Sequence, residues 1–234
     1  KSGDGALTLT GSNLYSGATI VNAGILKIQH AYGLGSTTAG TTVNPAGTLV
    51  LANNISTLTE ALTLNGTLSS QAGTTNTFGG TVTLTPGSSI DVGANSKLTL
   101  NAFQANGPFR KTGSGWLKFA IDPNGNGQMT VAEGVAELAQ ATGAMDANVV
   151  VNSGASLYMV VASALNSSSS RLQVDAGGTC VIRADCTLGG FAGAGLVTKD
   201  TSGLTTLTIG NNNVGEIFSG VITNGIGTVA LTKN

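Results

Sequence analysis

Charge is what this chain has least of. Charged residues make up 9% of its 234 positions, against roughly a quarter in ordinary globular domains. Ten Lys and Arg nearly balance eleven Asp and Glu, for a net charge of −1. That balance leaves no electrostatic footprint for nucleic acid or for an anionic lipid surface. The basic residues are scattered, and only Arg110 and Lys111 are adjacent. Aromatic residues are also scarce, at 4%, which suits a narrow core. With one histidine, His30, any Ser-His-Asp or Cys-His device would have to run through that residue. No Gly-x-Ser-x-Gly or metal-ligand spacing accompanies it, so His30 reads as a loop histidine just beyond a strand. No run of about 18 apolar residues exists to form a membrane-spanning helix, and the first residues lack a signal-peptide pattern.

What the chain has instead is glycine, hydroxyls and amides on an apolar frame. Hydrophobic residues are 41% and glycines number 35, enough apolar content to support a core rather than disorder. Short alternating runs are separated by polar corners. Leu7 and Leu9 alternate with Thr8 and Thr10, Gly11-Ser12-Asn13 turns, Ile20-Val21 is strand again, and Leu26 and Ile28 follow Asn22-Ala23-Gly24. Residues 1–28 align without a gap on residues 111–138: Gly5 meets Gly115, Leu7 meets Leu117, Val21 meets Val131 and Gly24 meets Gly134. A third start lies at Val197-Thr-Lys-Asp-Thr-Ser-Gly-Leu.

A finer period runs beneath this repeat. Val21-Asn-Ala-Gly, Val43-Asn-Pro-Ala-Gly, Leu64-Asn-Gly, Leu84-Thr-Pro-Gly, Val131-Ala-Glu-Gly, Val151-Asn-Ser-Gly, Val174-Asp-Ala-Gly and Ile222-Thr-Asn-Gly are variants of one corner. They recur about every 20 residues, a solenoid spacing. The reading is an all-β chain wound as a parallel β-helix, a β-solenoid of about 20 residues per coil and about eleven coils. Each strand pairs with its equivalents roughly 4.8 Å away. Val21, Leu26, Val43, Leu49, Leu64, Val131, Val151 and Val174 should point inward, Thr and Ser outward, and Asn and Gly should hold corners that need left-handed backbone angles. A β-sandwich would also show strands between turns, but has no reason to reuse one corner phrase. Two intervals break the pattern: 101–110, with Phe103, Pro108 and Phe109, reads as a protruding loop, and 139–148 is the one weakly helical stretch, better read as wrapping a coil edge. Residues 1–234 read as one β-helix segment of a longer protein, truncated or matured at both ends.

Gly5-Ala-Leu-Thr-Leu-Thr-Gly-Ser-Asn-Leu-Tyr-Ser-Gly-Ala-Thr-Ile-Val-Asn-Ala-Gly-Ile-Leu26 resembles the autotransporter-associated β-strand repeat of bacterial autotransporter passenger domains. Phe218-Ser-Gly-Val-Ile with Val229-Ala-Leu-Thr-Lys resembles the segment that precedes such a repeat. At 111–138 the match is degraded, with Gly125 in the place of Tyr15. The resemblance implies a right-handed β-helix, secretion, and an extracellular or bacterial cell-surface location. It carries no catalytic residues to transfer.

Few residues suggest chemistry. Asp122-Pro-Asn-Gly-Asn-Gly-Gln-Met-Thr-Val-Ala-Glu133 fits the spacing of a calcium loop, with Asp122, Asn124, Asn126 and Glu133 as oxygen ligands and Gly127 at the turn. The same stretch aligns with residues 12–23, which have no acids at these places, so the spacing is also what the coil alone would produce. Cys180 and Cys186 are either two small buried hydrophobes or a disulfide across the turn at 183–185. Trp116 and Tyr158 are candidates for stacking on sugars. Arg171, Asp175, Arg183 and Asp185 are the charges that a polysaccharide lyase or hydrolase would gather in one groove. Asn53-Asn54 and Asn211-Asn-Asn213 read as structural corners.

The expected function is a non-catalytic, secreted or surface-displayed structural segment: a rigid stalk, an adhesive or a fibre. No cofactor is expected beyond calcium at that loop. The partners are neighbouring coils of the same chain or another copy joined through the solenoid ends, and a cell-surface glycan or protein. A carbohydrate-active enzyme or glycan-binding module is the alternative.

Overall fold

Side-chain burial alternates along the strands and sets the winding. Within Thr41–Leu51 and Lys97–Ala105, Val43, Leu49, Leu51, Leu98 and Leu100 are inside while their neighbours face outward. The computed structural model describes all residues except 58, 121–122, 125–126, 140–147, 163–164, 166 and 211–214, with backbone alone at 123–124 and 167–168. The described residues form strands and no helix. They wind as a parallel β-solenoid of about 10 turns, with roughly 21 residues per turn, one coil fewer than the length suggested.

Each turn has three sides. The first stacks Ala6–Leu9 on 25–28, 48–51, Thr67–Ser70, Ser89–Val92, Phe109–Thr112, Met129–Val131 and onward through 171–174 to 190–193. The second runs from 75–78 through 97–100, Trp116–Phe119, Val135–Leu138, Ser156–Met159 and Thr179–Ile182 to Leu196–Thr198. The third holds 19–21, 41–43, Leu62–Leu64, 81–84 and 102–105, and further on 186–188, 207–209 and 231–233. Every described strand pairing is parallel, as in sheets whose connections must cross a face rather than fold back.

The eight residues expected inside are all buried. They stack in columns: Val21 on Val43 on Leu64, Leu26 on Leu49, and Val131 on Val151 on Val174. Residues 101–110 are not a protruding loop. They carry strand through Ala105, and Phe103 and Phe109 are buried beside Phe119, with Phe103 and Phe119 ring centroids 4.4 Å apart. The chain turns from the second side to the third at Asn101-Ala102 without a glycine corner. The inward parity slips by one there, from Leu98 and Leu100 to Phe103 and Ala105, which hides the strand from a period-two reading. The weakly helical stretch lies almost wholly outside the described residues.

Polar groups inside the coil are bonded to one another. Asn76 is fully buried; its Oδ1 accepts from Ile55 N and its Nδ2 donates to Leu51 O, Ser70 Oγ and Thr74 Oγ1. At one corner Asn44 Nδ2 donates to Asn22 Oδ1 at 2.7 Å, one step of an amide ladder. Glu60 is an exception. It accepts from Thr41 Oγ1 at 2.7 Å through Oε1, while its buried Oε2 has no partner. Desolvation raises its carboxyl above the usual range, opposed by the Thr41 bond.

Two outcomes follow from this packing. Val151→Asp places an unpaired charge between Val131 and Val174 and should cost on the order of 3 kcal/mol or more, read from urea or thermal melts. For Glu60, the folded chain holds its proton above the unfolded value of 4.5, so stability is lost as pH rises from there through the folded value. The stability of the native chain relative to Glu60→Gln should therefore decline with rising pH, and a pH-independent difference would refute the assignment.

Candidate functional site

The outward face of the second side gathers the most concentrated surface chemistry described. Strand pairing places Trp116 beside Lys97, and Lys118 beside Glu137, which in turn lies beside Tyr158. Trp116 and Tyr158 stand two coils apart, and their side chains lean together across the intervening strand, with ring centroids 5.0 Å apart at 37°. Beneath them Glu137 is only 7% exposed. Its Oε2 accepts from Trp116 Nε1 at 2.7 Å and its Oε1 pairs with Lys118 Nζ at 3.3 Å. Both carboxylate oxygens are thus engaged, as a nearly buried charge requires.

Cations close the row at both ends. Lys97 Nζ lies 5.7 Å from the Trp116 ring centre, and the Arg183 guanidinium lies 4.7 Å from that of Tyr158. Lys97 comes from the coil on one side of Trp116 and Tyr158 from the other, so the indole has a neighbour on each side along the axis. Tyr158 is likewise flanked by Trp116 and Arg183. Arg183 also holds Asp200 in a fork, Nε to Oδ1 at 2.8 Å and Nη2 to Oδ2 at 2.5 Å. That bond raises the guanidinium and holds the Asp200 carboxyl below the usual range. The row runs cation, ring, ring and cation along the solenoid axis, with the two rings tilted against each other. A sugar stacking on either ring would compete with these neighbours from the same chain.

The other sequence-derived candidates are dispersed. Arg171 pairs with Glu216 and bonds Gln173, whose amide donates to Asp175, on the outer face of the first side. Arg183 is committed to Asp200, and Asp185 accepts from Thr206 N at 2.8 Å. Arg171 and Asp175 are linked through Gln173, whereas Arg183 and Asp185 are held by Asp200 and Thr206, so the four charges are divided between two places. His30 sits beside Tyr32, with Nδ1 accepting from Tyr32 N. Among the described residues no group of three His, Cys, Asp or Glu could hold a metal ion. Of the calcium loop, Asp122, Asn126 and the Asn124 side chain lie outside the described residues; Glu133 is exposed.

Cys180 and Cys186 lie on the second and third sides of one coil. Both are buried, free thiols. The Cys186 thiol donates to Ala184 O at 3.0 Å. Burial pushes the Cys180 thiol well up and that of Cys186 up to about 12, which suppresses the thiolate needed for reaction.

Trp116 and Tyr158 are recognisable one by one in the sequence, but their pairing, and the roles of Lys97, Glu137 and Asp200, are not. Coils differ in length, so residues that meet across two coils share no constant spacing.

Trp116 is the only tryptophan, so its fluorescence reports on this row. Tyr158→Ala should shift its emission to the red and cost about 1–2 kcal/mol; unchanged emission would contradict the stack. A thiol reagent should label neither cysteine in the native chain and both after denaturation without reductant. Labelling that requires a reductant would reveal a bridge.

The family model for the passenger-associated-transport-repeat, a repeat family of autotransporter passenger domains, matches residues 1–28. No curated protein and no solved structure matches this chain.

Proposed function

We propose that this chain is a non-catalytic segment of a surface-displayed protein, whose work is rigid axial extension as a stalk, with adhesion or fibre formation carried by the assembled rod. The observation that carries this reading is the continuous parallel ladder running through about 10 turns. At about 4.8 Å per turn, such a ladder makes a rod about 50 Å long whose stiffness comes from the backbone itself. The passenger-repeat match over residues 1–28 supports an extracellular or cell-surface setting. The internal pairing of the aromatic and ionic row supports a structural rather than a catalytic use of the surface. Further coils of the same chain, or another copy, are the partners that a parallel ladder accepts along its axis.

Electron microscopy and light scattering of the purified chain, with a glycan array and a reducing-sugar assay, test the proposal. Rods of uniform width that release no sugar are expected. Turnover of a polysaccharide would overturn the non-catalytic reading, and globular particles would overturn the rod.

A further inference from the structure

Lys111 occupies a core position. It stands in an inward column between Ile90 and Val131 and is fully buried. Its ammonium reaches the corner that follows and donates to Thr112 O at 2.9 Å, Gly113 O at 2.5 Å and Glu133 O at 3.0 Å. All three donors of the ammonium are thereby used, each on a backbone carbonyl. Lys1 does the same. It donates to Ser2 O, to Gly3 O at 2.5 Å and to Ala23 O at 2.9 Å. In both cases two acceptors belong to the lysine's own corner, and the third lies 22 residues ahead in the next coil.

The coil that follows fits over the same corner each time. Gly24, at φ +68°, and Gly134, at φ +62°, lie so close that a Cβ would stand within 2.6 Å of Gly3 O and Gly5 O in one case, and of Gly113 O and Gly115 O in the other. Lys199, 2% exposed, closes its own corner through hydroxyl acceptors, Thr201 Oγ1 at 2.9 Å and Thr205 Oγ1 at 2.6 Å, and meets the next coil through its stem. Gly227 of the next coil is packed there against the carbonyls of Thr201 and Gly203 and the Lys199 stem. The three lysines stand at three different corners. Lys1 precedes the first side, Lys111 joins the first to the second, and Lys199 joins the second to the third.

We infer that the lysine at the Lys1 and Lys111 corners is a forward clasp, closing its own corner onto the coil that follows, while Lys199 closes only its own corner by the same inward reach. A corner so built is complete only when the next coil is in place. The lock therefore has a direction, from N-terminal coil to C-terminal coil. Burial pushes the Lys111 ammonium down to about 8, against Asp91 and Glu133, which raise it; at neutral pH it remains a charged donor.

Native-state hydrogen exchange on the whole chain tests this. In Lys111→Met, which keeps the stem and removes the ammonium, the amides of Ala132 and Val135, bonded to Lys111 O and Gly115 O, should lose at least tenfold in protection. Gly115 N, bonded back to Val92 O, should lose less. Unchanged protection overturns the clasp, and equal loss on both sides overturns its direction. In Lys111→Ala, n-propylammonium should restore protection and n-butanol should not; equal rescue by both would reduce the lysine to a space-filler. Should the alanine variant fail to fold, the methionine variant decides alone.

Discussion

Every inward side chain of this molecule must sit on another about 4.8 Å away. In-register parallel stacking imposes that constraint, and the composition follows from it. A position filled by Val or Leu repeats without strain, as in the column Val131, Val151 and Val174. A charge cannot repeat in this way. The few charges admitted to the interior are therefore single and led out of the column. Lys111 bends to corner carbonyls, while Glu60 keeps one oxygen unbonded and holds its proton more tightly.

The same constraint decides what could be read from the sequence. Columns of aliphatic residues and glycine corners leave a regular period, so the solenoid and the eight inward residues were legible from the alternation alone. Where the chain passes from one side to the next without a corner, as at Asn101-Ala102, parity slips and Phe103 and Phe109 look like loop residues although they are buried. The outer row was legible only in part. Trp116 and Tyr158 could be suspected of being surface aromatics, but the leaning of one ring onto the other depends on how three strands of unequal coil length align.

Outside the coil, scarcity of charge has a second effect. Neighbouring coils place outward residues in register, and like charges directly opposite would repel. The described outer ion pairs are of opposite sign and span coils or corners: Lys118 with Glu137, Arg183 with Asp200 and Arg171 with Glu216. Surface pairs of this kind contribute little each. Their arrangement lets charge occur on a ladder without prying it open, and hydroxyl-bearing residues fill most of what remains.

Because each strand meets only its equivalents one coil before and after, the sequence distance between contacting residues stays near the length of a single turn, roughly 21 residues, however many turns there are. The entropy of closing a loop depends on that distance, so a hundredth coil would close over the same short span as the second. Length in this architecture is thus nearly free of the topological penalty that limits globular β domains, and a gene can extend the rod by duplication without asking the chain to search any farther.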